Sequence, residues 1–437
     1  MQKSCVYASD KTFCVSDEGR GRFLFHNYYG PVIGDMDMSY LVRPLDRGFS
    51  GQPQEIMDRG FSLDTRLLEY PSYGTGDYRD YCLHAAYGDG SQVTDLRFVS
   101  YEIEEGKYAL EGLPAMYQGE EKAETLEITL EDKYKNLQVV LYYGVFENLD
   151  VITRACKIVN KGEDKVRLLR AYSMALDFDH KDLDFLHFYG RHAMERKMER
   201  SPLQHGFQGV ESRRGYSSHQ QNPFAVLCKP DTTEEYGWCY GASFVYSGNF
   251  SIQAEVSQAD TTRLTVGIQD TQFEFHLEPG ECFTTPEVIL SFSDKGLGQL
   301  SRNYHKAIRN NVCRGKYKTA RRPVLINNWE ATYFDFTPEK LVAIAKDAKE
   351  LGIEMLVMDD GWFGKRDSDF SGLGDWFVNE KKLKGGLKDL VEEVNKTGMK
   401  FGIWFEPEMI SEDSDLYRAH PDWALTIPGR PFSRARH

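Results

Sequence analysis

The feature that most constrains the fold of this chain is a change of pattern at Pro323. Before it, short runs rich in Val, Ile, Leu, Tyr and Phe alternate with polar turns from residue 1 to about 290. Residues 126–132 lead through a polar turn into 137–146, then 151–159, a turn, and 165–178. Many short strands separated by turn residues predict a large antiparallel β-sandwich. After Pro323, residues 324–328, 354–359 and 400–405 are short apolar runs with helical patterns over 337–352 and 384–398 between them. Thr337 followed by Pro338 is a helix-start signal, and Gly352 is a helix stop. A shorter third helix is predicted over 413–423. Alternating strand and helix implies parallel strands, and their continuous apolar character implies that both faces are covered.

Between the two patterns, Leu297, Leu300, Tyr304, Ala307 and Ile308 share one helical face, which predicts a connecting helix near 295–313. A basic stretch, 314–322, follows it. The expected division is therefore a β-domain over 1–318 and an α/β domain over 319–437. A doubly wound sheet and a (β/α)8 barrel both fit the second pattern. The glycine-rich phosphate fingerprint is missing after the first strand, and polar and aromatic residues gather just past each strand, where barrel enzymes build active sites. The barrel is the reading we adopt. It needs roughly 250 residues, and about 115 lie between Pro323 and His437. An incomplete barrel, stopping after about three βα units, is expected, either as a fragment or as a natural truncation.

Composition narrows the function. The net charge of −14 disfavours nucleic acid and anionic membrane surfaces. A neutral small-molecule substrate is compatible with it. The 25 Tyr and 26 Phe suit sandwich cores and can also offer stacking platforms for sugars. Eight cysteines at irregular spacing fit neither a zinc site nor a small disulfide scaffold. They are expected to be reduced thiols, and no cofactor or metal is expected. The acidic run 177–185 lacks the central Gly and terminal Glu of a calcium loop. No apolar leader or long apolar span is present, so the expected location is the cytoplasm.

Chemistry concentrates at three successive strand ends. The first carries Asn327, Asn328, Trp329 and Glu330. The second carries Asp359, Asp360, Gly361 and Trp362, and the third Trp404, Glu406 and Glu408. Adjacent carboxylates are costly to hold together unless something binds them. Sugar hydroxyls are suitable partners, and a flat indole suits the C–H face of a pyranose. Taken singly, the acid pair reads as a turn and helix cap, and each Trp as rim packing. Three coincident strand ends favour the sugar site.

The segments NNWEATYFDF (327–336), DDGWFGKRDSD (359–369), LGDW (373–376) and WFEPEM (404–409) resemble the α-galactosidases of glycoside hydrolase family 36. The resemblance extends to 61–79, 94–98, 211–224 and 244–250, and covers the chain from about residue 40. It implies a β-supersandwich followed by a (β/α)8 barrel, and retaining hydrolysis of terminal α-linked galactose, as in melibiose and raffinose. It also implies that Asp359 and Asp360 hold galactose hydroxyls, that Trp329 and Trp404 shape the pocket, and that Arg436 lines it. Asp46 and Arg59 match residues that reach the neighbouring active site in a homotetramer, although the echo between 45–50 and 57–62 blurs the register there. The family's nucleophile and acid/base are expected beyond His437, so no catalytic residue is assigned within the chain, and Glu406 and Glu408 are not promoted to that role. The chain alone is then expected to be inactive. Related readings are an α-N-acetylgalactosaminidase, a galactosyl-transferring enzyme, and a non-catalytic galactoside-binding fragment.

Overall fold

The computed structural model describes residues 4–8, 11–18, 21–33 and 61–432. The chain divides into two units, Met1–Lys318 and Thr319–His437.

The first unit is built on two large antiparallel sheets. One has ten strands among the described residues, nine on a continuous path and Cys282–Thr284 paired off it. Its path runs from Met194–Pro202 through Asp184–Arg191, Gln221–Cys228, Cys239–Val245, Glu287–Ser293, Val151–Asn160, Leu137–Phe146 and Glu124–Asp132 to Arg97–Glu105. The six-stranded sheet is centred on the long strand Val166–Phe178, flanked by Thr262–Ile268 and by Leu83–Ala86 and Phe275–Leu277. A three-stranded sheet includes Phe23–Pro31.

Period-2 patterning sets the faces. In Glu124–Asp132, Leu126, Ile128 and Leu130 are buried while Glu127, Thr129 and Glu131 are half-buried on the other side. In Leu137–Phe146, Leu137, Val139 and Leu141 join the same core. A one-residue slip would exchange these faces, so the alternation also fixes the register. The strands Val151–Asn160 and Glu287–Ser293 are buried nearly throughout. The helix Gly296–Asn311 supplies a second core on the far face, through Leu300, Tyr304 and Ala307 against Ile289 and Val151. That covering removes the need for polar alternation there.

An irregular segment, 61–81, is stapled to the six-stranded sheet by buried charge. Arg263 donates to both oxygens of Asp177 at 2.7 Å and to Asp77 at 2.8 Å. Arg79 donates to Asp77 at 2.8 Å and to the Leu63 carbonyl at 2.8 Å. Asp177 also accepts the Leu68 amide at 2.8 Å. Asp177 belongs to the acidic run 177–185, and Asp184 of the same run pairs with Arg200 at 2.7 Å. These carboxylates are thus used structurally. Cys82, Cys156, Cys228 and Cys239 are buried free thiols, Cys313 is a half-buried one and Cys282 an exposed one.

The second unit contains three parallel strands, Leu325–Asn327, Met355–Met358 and Lys400–Ile403, in that spatial order. The helix Pro338–Glu350 starts where the sequence indicates: the Thr337 hydroxyl accepts the Lys340 amide at 3.3 Å. It buries Leu341, Ala345 and Ala348, and Gly352 follows it at φ +84°. The helix Gly386–Lys396 buries Leu390 and Val394 against the same core.

Two expectations are corrected. The third helix spans only Asp415–Ala419, followed by a short 3-10 turn at Pro421–Trp423. Pro421 disfavours helical backbone at His420, which ends it. The strands are also not covered on both faces. Leu356 and Met358 are buried under the helices, whereas Met355 and Val357 are only half-buried and Leu325 is 54% exposed. Three strands do not close on themselves, so the inward side chains lack the opposite wall that a complete barrel supplies. Among the described residues, no helix is long and apolar enough to cross a membrane.

Candidate active site

The site is assembled at the C-terminal ends of the three parallel strands. Asn328, fully buried, joins the first strand to the second. Its side-chain oxygen accepts the Asp359 amide at 2.8 Å, and its side-chain nitrogen donates to the Thr332 hydroxyl at 2.8 Å. Asn327 accepts the Trp329 amide at 2.7 Å and donates to the Asp359 carboxylate. The other oxygen of Asp359 accepts the Asp360 amide at 2.7 Å. One carboxylate is therefore fixed in orientation by two neighbouring groups while remaining half-buried, with lone pairs left for further donors.

Asp360 has a different fate. It is 3% exposed and held by Arg366, whose Nε lies 3.0 and 3.1 Å from its two oxygens and whose Nη2 lies 2.7 Å from Oδ2. Arg366 itself is fully buried and donates to the Ser371 carbonyl at 2.9 Å. Gly361 follows at φ +94°, and a Cβ there would lie 2.8 Å from the Phe334 ring. The sharp turn that separates the two aspartates from Trp362 requires glycine.

Aromatic residues frame the acids. Trp329, half-buried, packs edge-to-face on Tyr333 and Phe334, with centroids 5.2 and 5.0 Å away. Tyr333 adopts φ 46°, a conformation that a bulky side chain rarely takes. Strain of this kind often marks functional sites. Trp404 is carried by the third strand: its amide donates to the Met358 carbonyl at 2.9 Å, and its own carbonyl accepts the Trp362 indole N–H at 3.0 Å. Trp362 is buried and holds the wall in place. Glu408 is exposed and Glu406 is half-buried. Among the described residues, no group of three or more His, Cys, Asp or Glu could hold a metal ion.

Of the residues singled out in the sequence, Trp329, Asp359, Asp360 and Trp404 lie at these neighbouring strand ends. Asp46, Arg59 and Arg436 lie outside the described residues. The sequence reading did not select Arg366, which sits in the hydrophilic run KRDSD and looks like a surface turn. It also left Asn327 and Asn328 without a role. Asp375 of the LGDW segment serves as an anchor: it accepts the Asp415 and Leu416 amides, both at 2.9 Å, at the start of a short helix.

Comparison with known proteins matches both parts of the chain to known families. The glycosyl hydrolase family 36 N-terminal domain matches residues 22–278, and melibiase matches residues 282–437. The bifunctional alpha-galactosidase/sucrose kinase AgaSK of Mediterraneibacter gnavus is 54% identical over 416 residues, covering 95% of this chain and 44% of that protein. Alpha-galactosidase AgaA of Geobacillus stearothermophilus is 50% identical over 419 residues, covering 96% and 57%. The solved galactosidase domain of AgaSK superposes with a TM-score of 0.95 at 52% identity, over 99% of this chain and 60% of that one. A variant of the Geobacillus AgaA solved in complex with raffinose gives 0.95 at 48% identity, over 99% and 60%. The chain thus spans about half the length of the curated relatives it matches. Two family matches lying end to end, over a sandwich followed by parallel βα units, establish that the chain belongs to glycoside hydrolase family 36.

Proposed function

We propose that the whole protein is an α-galactosidase that removes terminal α-linked galactose from melibiose- and raffinose-type oligosaccharides with retention of configuration. The observation that carries this reading is the pre-oriented, half-buried Asp359 carboxylate at the end of the middle strand, with Trp329 and Trp404 following the strands on either side. An ionised carboxylate so held accepts hydrogen bonds from vicinal hydroxyls, and an aromatic wall takes the apolar face of the sugar. Asp360 contributes through the Arg366 pair, and it reaches a hydroxyl with whatever lone pairs the guanidinium leaves. The family resemblance assigns Arg436 to the pocket and Asp46 and Arg59 to the neighbouring active site of a homotetramer, which we place in the cytoplasm.

In a retaining mechanism one carboxylate attacks the anomeric carbon, and a second protonates the leaving oxygen and then activates water, the two standing roughly 5–5.5 Å apart. That pair belongs to later barrel strands, beyond His437. Residues 1–437 then supply part of the pocket and no catalytic pair.

The test is galactose release from raffinose by the full-length protein, with the anomer formed first followed by proton NMR. Release of the α-anomer supports the proposal. Initial β-anomer, or no release, sinks it. The 1–437 chain assayed alone should release no galactose, and measurable turnover would overturn the assignment of the catalytic pair. Faster turnover of an N-acetylgalactosaminide, or accumulation of transfer products, would favour the related enzyme specificities. Galactose binding without hydrolysis by the whole protein would favour a binding role.

A further inference from the structure

A cleft of about 540 Å³ opens within the first unit, lined by the strand Phe23–Pro31, residues 65–67 and 177–180, Lys229, Trp238 and Tyr240. This volume falls in the range of small-ligand sites, which are mostly apolar with a few placed polar groups. Its floor is aromatic. Tyr240 packs on Phe178 at 4.9 Å, on Phe292 at 4.9 Å and on Tyr29 at 5.9 Å. Trp238 stands edge-to-face on Phe292 at 5.6 Å and is 40% exposed. Packing on Phe292 fixes the indole while part of its surface stays exposed, which gives a rigid apolar platform at the cleft.

The rim is polar and mixed in sign. Asp179 is exposed and Lys229 half-buried. The Lys229 ammonium lies 2.9 Å from His180 Nε2. An ammonium has no acceptor, so Nε2 must accept and the neutral imidazole carries its proton on Nδ1. That N–H is shielded from water and has no acceptor among the described residues. The cleft therefore offers a carboxylate and an ammonium beside an aromatic platform. A neutral polyol with an apolar face satisfies all of them, because each hydroxyl both donates and accepts. An anion would meet Asp179, and a cation would meet Lys229.

We propose that this cleft is a second, non-catalytic saccharide-binding site, carried by the β-domain and separate from the pocket in the barrel unit. It goes beyond the proposed hydrolysis and does not require it.

Trp238 is the only tryptophan before residue 319; the other five are Trp329, Trp362, Trp376, Trp404 and Trp423. Fluorine NMR of the 5-fluorotryptophan-labelled chain therefore separates the two sites. The Trp238 resonance is assigned by its loss in Trp238→Phe, and the chain is titrated with galactose, melibiose and raffinose. The expected result is a saturable shift of the Trp238 signal that persists when the barrel pocket carries Asp359→Asn and Trp329→Phe. Lys229→Met, which keeps the stem of the side chain and leaves Trp238 in place, should weaken that binding at least tenfold. No shift of the Trp238 signal with any of the three sugars would overturn the proposal. So would a shift that disappears in the barrel variant, or one unchanged by Lys229→Met. Failure of the full-length protein to hydrolyse raffinose would sink the proposed enzyme activity and leave this site standing.

Discussion

The Arg366 guanidinium grips both carboxylate oxygens of Asp360, at 3.0 and 3.1 Å from Nε, with both side chains almost wholly buried. Asp359, one residue earlier, is held by an asparagine and a backbone amide and remains half-buried. Breaking a buried ion pair from one side leaves an uncompensated charge, at about 3–5 kcal/mol. Arg366→Met should destabilise the second unit by that amount in urea unfolding followed by tryptophan fluorescence. Asp360→Asn combined with Arg366→Met should recover much of the loss. A single variant within about 0.5 kcal/mol of wild type, the usual range for surface substitutions, would show that the pair is not structurally important.

Gly361 and Gly352 separate two effects that are usually confounded. Both have positive φ, at +94° and +84°. A Cβ on Gly361 meets Phe334 at 2.8 Å, whereas one on Gly352 meets nothing within 4 Å. Gly352→Ala should cost about 1–2 kcal/mol for backbone conformation alone. Gly361→Ala should cost more, and should also shift the Trp329 fluorescence through Phe334. Equal unfolding midpoints for the two variants would refute the crowding argument.

Acid should loosen the first unit through Asp77. Burial alone would raise its pKa, but Arg263 and Arg79 outweigh that and hold it below the usual carboxylate range. A depressed folded pKa gives stability that is full above the unfolded value, about 3.9, and is lost as pH falls through the folded value. Thermal unfolding of wild type should therefore drop steeply below about pH 4. In Asp77→Asn the midpoint should be lower at neutral pH and flatter against acid. Parallel pH profiles for the two proteins would remove Asp77 from the account.

Thiol reactivity should follow burial. The Cys156 and Cys228 thiols are each pushed up to about 11 by burial, so both are protonated at pH 8. Cys282 is exposed. Alkylation of the native chain at pH 8, mapped by peptide mass spectrometry, should label Cys282 well before Cys156 and Cys228, which are spared until denaturant is added. Early labelling of Cys156 would mean that the sandwich core opens far more readily than its packing indicates.

Local pattern alone determined much of this protein. Period-2 runs such as Leu126, Ile128 and Leu130 declare a strand and its buried face, and Thr337-Pro338 with Gly352 declares a helix and both its ends. The spacing that sets these faces lies within a few residues, so it is legible without a fold. The placement of Trp329, Asp359 and Trp404 at strand ends was legible for the same reason, since each closely follows a recognisable strand. Tertiary structure alone decided what each carboxylate does. Two adjacent aspartates differ because Arg366 reaches only one of them, and Asp375, in an equally suggestive motif, is used to start a helix. Asp177 lies in an acidic run that could have suggested a cation, yet its partner is Arg263, 86 residues away. A charge carries no mark of its partner in the sequence, because pairing depends on where distant segments meet and how completely water is excluded when they do.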